Sequence, residues 1–163
     1  MSHFNLQSYR HEKCCAKLII VSLVFVLSAC RIQTVKHNPV RAAIDTNQFL
    51  RVLYFDEDYT KALDLAIGQL RQSTTDDLNK MVVGIKQERG ALKTLRADSY
   101  LMTQGATMEL FYIGEYEKGL LYHRLVVMGD ASSGYRVSGV WFQPDPYPEN
   151  PLRRKFDVDI FVG

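Results

Sequence analysis

Residues 108–142 read MELFYIGEYEKGLLYHRLVVMGDASSGYRVSGVWF, and the fold turns on how this stretch is divided. Met108–Ile113, Leu120–Met128 and Tyr135–Phe142 are rich in β-branched and aromatic types. Glu117-Lys118-Gly119 separates the first two, and Gly129-Asp130-Ala131-Ser132-Ser133-Gly134 the last two. Both separators supply the Gly, Asp and Ser that tight turns use, so the stretch predicts two consecutive hairpins and hence an antiparallel meander. A further strand is expected ahead of it, between Leu92 and Thr103. Strict alternation along Tyr135–Phe142 puts Trp141 and Phe142 on opposite faces, one entering the core and the other marking a groove or a partner surface.

Toward the N-terminus the period changes to that of a helix. Ile44, Phe49, Val52 and Leu53, then Ala62, Leu63, Ala66, Ile67 and Leu70, recur at spacings of three and four. Asp56-Glu57-Asp58 interrupts them, with Asp58 placed to cap a segment starting at Tyr59, so one bent helix or two consecutive helices satisfy the pattern. Ser73-Thr74-Thr75-Asp76 is a polar break. Another helix is predicted from Thr75 to Arg89, with Leu78, Met81, Val82 and Ile85 on one face and Gly90 as its stop. Helices first and a meander second give an α+β class, with N-terminal helices packed on one face of a curved antiparallel sheet. The domain is expected over residues 42–146. PDPYPENP (144–151) and the alternating FDVDIFV (156–162) follow; residues 147–163 are read as an extended C-terminal tail, either docked or forming an edge strand.

The first thirty residues are of another kind. Arg10, Lys13 and Lys17 precede Leu18–Leu27, LIIVSLVFVL. That run is half the roughly twenty residues a bilayer-spanning helix needs, and with its basic flank it matches an export signal. Leu27-Ser28-Ala29-Cys30 resembles the lipobox of bacterial lipoproteins. The resemblance implies cleavage after Ala29, a diacylglycerol on the Cys30 thiol, and a membrane anchor for a protein facing the periplasm. Arg31 follows where an inner-membrane retention signal places Asp, which favours the outer membrane. A eukaryotic anchor palmitoylated on Cys14 and Cys15 competes with this reading, and the short apolar run argues against it. Residues 1–29 are thus the expected signal and 30–41 a lipidated tether, with Pro39 interrupting local structure.

Removal of the signal takes Arg10, Lys13, Lys17 and Glu12 with it, leaving equal numbers of acidic and basic residues. A nucleic-acid partner, which calls for a basic patch, is therefore not expected. Cys14 and Cys15 leave as well and Cys30 carries lipid, so no disulfide is expected in the domain.

FDEDYTKALDLAIGQLRQSTTDDLNKMVVGIKQERG and GYRVSGVWFQPDP are similar to the helical half and the final strand of uncharacterised bacterial members of the cystatin-like superfamily, which includes nuclear transport factor 2. The resemblance covers residues 42–146. It implies a cone whose sheet curls around the helices and encloses a pocket. Some relatives are isomerases or dehydratases, and many are binding or dimerisation modules, so fold does not choose between them.

An isomerase of this kind needs a carboxylate base and hydroxyl donors. Glu109, Glu115, Asp98, Tyr112, Tyr116, Tyr122 and Tyr135 are the candidate types, but none matches the isomerase pattern in phase and position. His123 shares a strand face with Leu121, Leu125 and Val127, the setting of a hydrogen-bonded structural histidine. No Gly-x-Ser-x-Gly and no set of zinc ligands is present. Arg153-Arg154-Lys155 reads as a solvated charge run. The expectation is therefore a membrane-anchored envelope lipoprotein without cofactor, metal or assigned catalytic residue. It would bind an apolar small molecule or an envelope protein through Tyr112, His123 and Trp141. A cofactor-free isomerase or dehydratase is the alternative, and a homodimer paired through the open sheet face a third reading.

Overall fold

The computed structural model describes residues 35–103 and 105–163. Cys30, its lipobox and the signal over 1–29 lie outside them.

Helix α1 (Pro39–Tyr54) starts where Asn38 accepts the backbone N–H of Arg41 at 3.0 Å. Pro39 is the first helical residue, a position that needs no N–H donor and welcomes a fixed φ. The expected tether therefore ends sooner than residue 41. Lys36 already accepts the backbone N–H of Ala131, and the Asn38 N–H donates to the Tyr135 hydroxyl at 2.8 Å. The inward stripe of α1 runs through Ala42, Ala43, Thr46, Phe49, Leu50 and Leu53, all buried. Ile44 is exposed, contrary to its place in the sequence pattern. The small residues at 42, 43 and 46 let the helix lie close to the sheet, and Ile44 falls off that stripe.

Of the alternatives for the next stretch, separate helices form. Asp58 caps α2 (Tyr59–Asp64) through the N–H of Lys61 at 3.0 Å. A short α3 (Gly68–Arg71) follows. Thr74 and Asp77 form a reciprocal capping box at the start of α4 (Thr75–Arg89), whose Leu78, Val82 and Ile85 are buried. Gly90 ends α4 with φ 79, and a Cβ there would meet Glu117.

Five strands make one sheet in the order β4–β3–β2–β1–β5, every neighbouring pair antiparallel: β1 (Leu92–Met102), β2 (Thr107–Tyr116), β3 (Gly119–Asp130), β4 (Gly134–Gln143) and β5 (Arg154–Phe161). The sheet is curved and does not close, and the helices lie against one face in a cone-like α+β arrangement. That inner face is filled by Leu95, Met108, Leu110, Tyr112, Leu125 and Val127, packed on Phe49, Leu50 and Leu53 of α1. The β4 edge is partly closed, since the Ile67 N–H donates to Val137 O at 2.8 Å.

Three register shifts override simple alternation, one of them at Lys93 near the start of β1. Ser138 is the extra residue opposite Val126 and Val127, so Val137, Val140 and Phe142 all face inward while Gly139 and Trp141 face outward. A second shift at Asp98 does the same for β1.

Of the two alternatives for the alternating C-terminal stretch, the edge strand forms: it is β5, paired with β1. Residues 144–153 leave β4 at one edge, cross the outer face, and feed β5 at the other edge. Tyr147 meets Phe111 edge-on with ring centroids 5.4 Å apart, and the Arg153 guanidinium lies 4.9 Å from the same ring. Phe111 is buried on a face that has no helix because this strap covers it.

Candidate functional site

His123 sits on the inner face of β3 and is wholly buried. Its Nδ1 is 3.4 Å from the Tyr54 hydroxyl and its Nε2 is 3.4 Å from the Tyr116 hydroxyl. The Tyr54 ring meets the imidazole edge-on at 5.6 Å, Tyr116 stacks at 6.4 Å, and Phe142 closes the cage at 6.3 Å. A neutral imidazole carries one donor and one acceptor, so one tyrosine donates to it and the other accepts. At 3.4 Å both contacts are longer than a normal hydroxyl hydrogen bond. Burial pushes the His123 pKa down to about 4. Burial also raises both tyrosines, Tyr54 further through the neighbouring Tyr116. The trio is uncharged at neutral pH, and an imidazole of that basicity is a weak proton acceptor.

Tyr112 is the cross-strand partner of His123 and equally buried. Its hydroxyl donates to Asn47 Oδ1 at 2.9 Å, and the Asn47 amide donates to Phe161 O at 2.9 Å. Tyr112 thus joins α1 to β2 and, through Asn47, to β5, which leaves its hydroxyl spent on structure. Trp141 lies on the opposite face, about half-exposed, with the Arg124 guanidinium 4.7 Å from its ring. Tyr112 and His123 are therefore neighbours, and Trp141 is not part of the same site. Phe142 is also half-exposed, so neither aromatic at that strand end enters the core.

The carboxylates weighed as bases lie away from the aromatic cage. Glu109 faces outward, 3.8 Å from Arg124, and Asp98 lies 3.9 Å from Arg96. Glu115 is exposed. Among the described residues the buried polar side chains are Thr46, Ser99 and His123, and no group of three or more His, Cys, Asp or Glu is disposed to hold a metal ion.

Among the described residues, a cleft of about 320 Å³ lies beside Trp141, lined also by Gln69, Leu70, Ser138 and Val140, and two larger open sites lie elsewhere. A groove of about 500 Å³ is lined by Tyr54, Phe55, Lys86, Leu92 and Glu117, so that the Tyr54 ring separates it from His123. The other lies beneath the strap. Its mouth, about 490 Å³, is lined by Asp98, Ser99, Glu149, Asn150, Arg153 and Lys155. It continues into a chamber of about 260 Å³ walled by Phe111, Ile113, Tyr122, Pro146 and Tyr147. Sequence reading did not assign Tyr54, Tyr147, Glu149 or Phe111 to any site. The signal available for the strap was an aromatic residue set among prolines.

Compared with protein-family models, curated proteins and solved structures, the chain matches none.

Proposed function

We propose that this chain is a bacterial envelope lipoprotein, lipidated on Cys30 and facing the periplasm, with the outer membrane favoured. Its α+β domain binds a small ligand and performs no chemistry of its own. The observation that carries the binding role is the groove between strap and sheet, which joins an aromatic chamber to a charged mouth within the size range of ligand sites. The filled inner face and the outward carboxylates favour binding over proton transfer. The location rests on the Leu27–Cys30 motif after its short apolar run, and helices followed by a curved antiparallel sheet fit the cystatin-like resemblance.

Labelled palmitate fed to the host tests the anchor: wild type takes up label and Cys30→Ser does not, moving to the soluble periplasmic fraction. A Cys30→Ser chain that keeps label and membrane attachment would overturn it. Denaturing the purified full chain tests the binding role by releasing a small molecule in stoichiometric amount.

One observation favours a second reading, an isomerase or dehydratase: the hydroxyl–imidazole–hydroxyl string of Tyr54, His123 and Tyr116 ends at the groove beside Tyr54. Turnover of a ketosteroid or a vicinal diol that Tyr54→Phe abolishes would decide for it.

A further inference from the structure

The strap groove has a more definite chemistry than binding alone. Asp98, Glu149, Arg153 and Lys155 line both its mouth and its chamber, two acids and two bases on one passage. Among the described residues, the only ion pair within 4.0 Å that any of them makes is Asp98 with Arg96, at 3.9 Å. Within the described residues, Glu149, Arg153 and Lys155 have no oppositely charged partner at that range. Arg153 is held in place all the same, stacked on Phe111 and donating to Tyr147 O at 3.4 Å. The chamber beyond is aromatic, and its Phe111–Tyr147 pair leaves ring faces and edges for a third flat ring.

We infer that this groove takes the zwitterion of an aromatic α-amino acid, a ligand class that deepens the binding role proposed above and rests on it. The carboxylate lies toward Arg153 and Lys155, the ammonium toward Asp98 and Glu149, and the side-chain ring enters the chamber between Phe111, Tyr122 and Tyr147. Opposed charges that cancel within one mouth discriminate against a ligand of net charge: an amine meets the bases unpaired, an acid meets the acids unpaired. A molecule carrying an ammonium and a carboxylate on one carbon offers a partner to both the acids and the bases. A ring-free zwitterion leaves the chamber empty and forgoes its apolar contact.

Saturation-transfer NMR on the full chain in detergent micelles, with millimolar L-phenylalanine, phenethylamine, 3-phenylpropionate and glycine, tests this. Phenylalanine is expected to bind, and each of the other three about tenfold or more weaker, the worth of one charged hydrogen bond for the two single-charge analogues and of the buried ring for glycine. Glu149 and Lys155 are exposed, so their glutamine variants keep the fold. Glu149→Gln is expected to weaken phenylalanine but to strengthen 3-phenylpropionate, whose carboxylate it no longer opposes; Lys155→Gln is expected to weaken phenylalanine and to strengthen phenethylamine in the same way. Equal binding of phenylalanine and either single-charge analogue would overturn the assignment. A different class of molecule released by the denatured chain, with no transfer from phenylalanine, overturns the assignment and leaves the binding role standing. No released molecule and no transfer from any compound overturns both.

Discussion

Tyr147 meets Phe111 edge to face, with 5.4 Å between ring centroids, and so fastens the proline-rich strap to the helix-free face of the sheet. The strap links the two outermost strands, so this contact holds β5 in register as well as roofing the groove. Replacing Tyr147 with Ala is expected to cost about 1–2 kcal/mol, an aromatic pair together with part of the area it buries. Urea unfolding reads the loss, and limited proteolysis is expected to cut first within residues 144–153. A variant as stable and as resistant as wild type would show that the strap holds without the pair.

Buried His123 gives stability a pH dependence whose sign follows from its lowered pKa. Above the ordinary value of 6.5 neither folded nor unfolded chain holds the proton. Between 6.5 and about 4 only the unfolded chain does, so stability falls as pH falls; below about 4 both are protonated and the loss levels off. The full contribution is about 3 kcal/mol. Unfolding of wild type and His123→Phe at pH 7 and pH 4.5 checks it: wild type is expected to decline more. NMR titration of the imidazole near pH 6.5 would contradict the buried neutral state.

Asp45 ties α1 to the start of β4. Its Oδ2 accepts the Tyr135 backbone N–H at 2.9 Å and Arg41 Nε at 3.1 Å. Asp45→Ala strands a part-buried donor and is expected to cost about 1–3 kcal/mol. Hydrogen exchange at the Tyr135 amide, accelerated in the variant, is the specific readout.

Trp141 is the single tryptophan, and its ring lies over Gly139 so closely that a Cβ there would stand 2.3 Å from it. Gly139→Ala is expected to displace the ring from Arg124, giving red-shifted emission and stronger quenching by acrylamide. Unchanged fluorescence would place the ring elsewhere.

The capped helix Thr75–Arg89, the two hairpins and the α+β order were legible in the sequence because each rests on local chemistry: a capping box, a glycine stop, turn residues between β-forming runs. What depended on distant partners was not. The bulge at Ser138 shifts the faces of Val140, Trp141 and Phe142, and nothing local marks it. Pro39 read as an interruption and proved a helix start, since proline serves either end of that boundary. The strap was invisible because its path depends on Phe111 facing outward, while Phe111 gains its cover only from the strap. For the site, His123 on its apolar face was legible, whereas Tyr54 came from another element and Tyr112 turned out to spend its hydroxyl on Asn47.

Native mass spectrometry of the full chain from its own host's envelope, beside a Tyr147→Ala variant expressed and purified identically, tests ligand binding under the strap most directly. Wild type is expected to carry an added small-molecule mass that disappears on denaturation, and the folded variant to lack it. No added mass on wild type, or the same mass retained by the variant, would contradict a ligand site between strap and sheet.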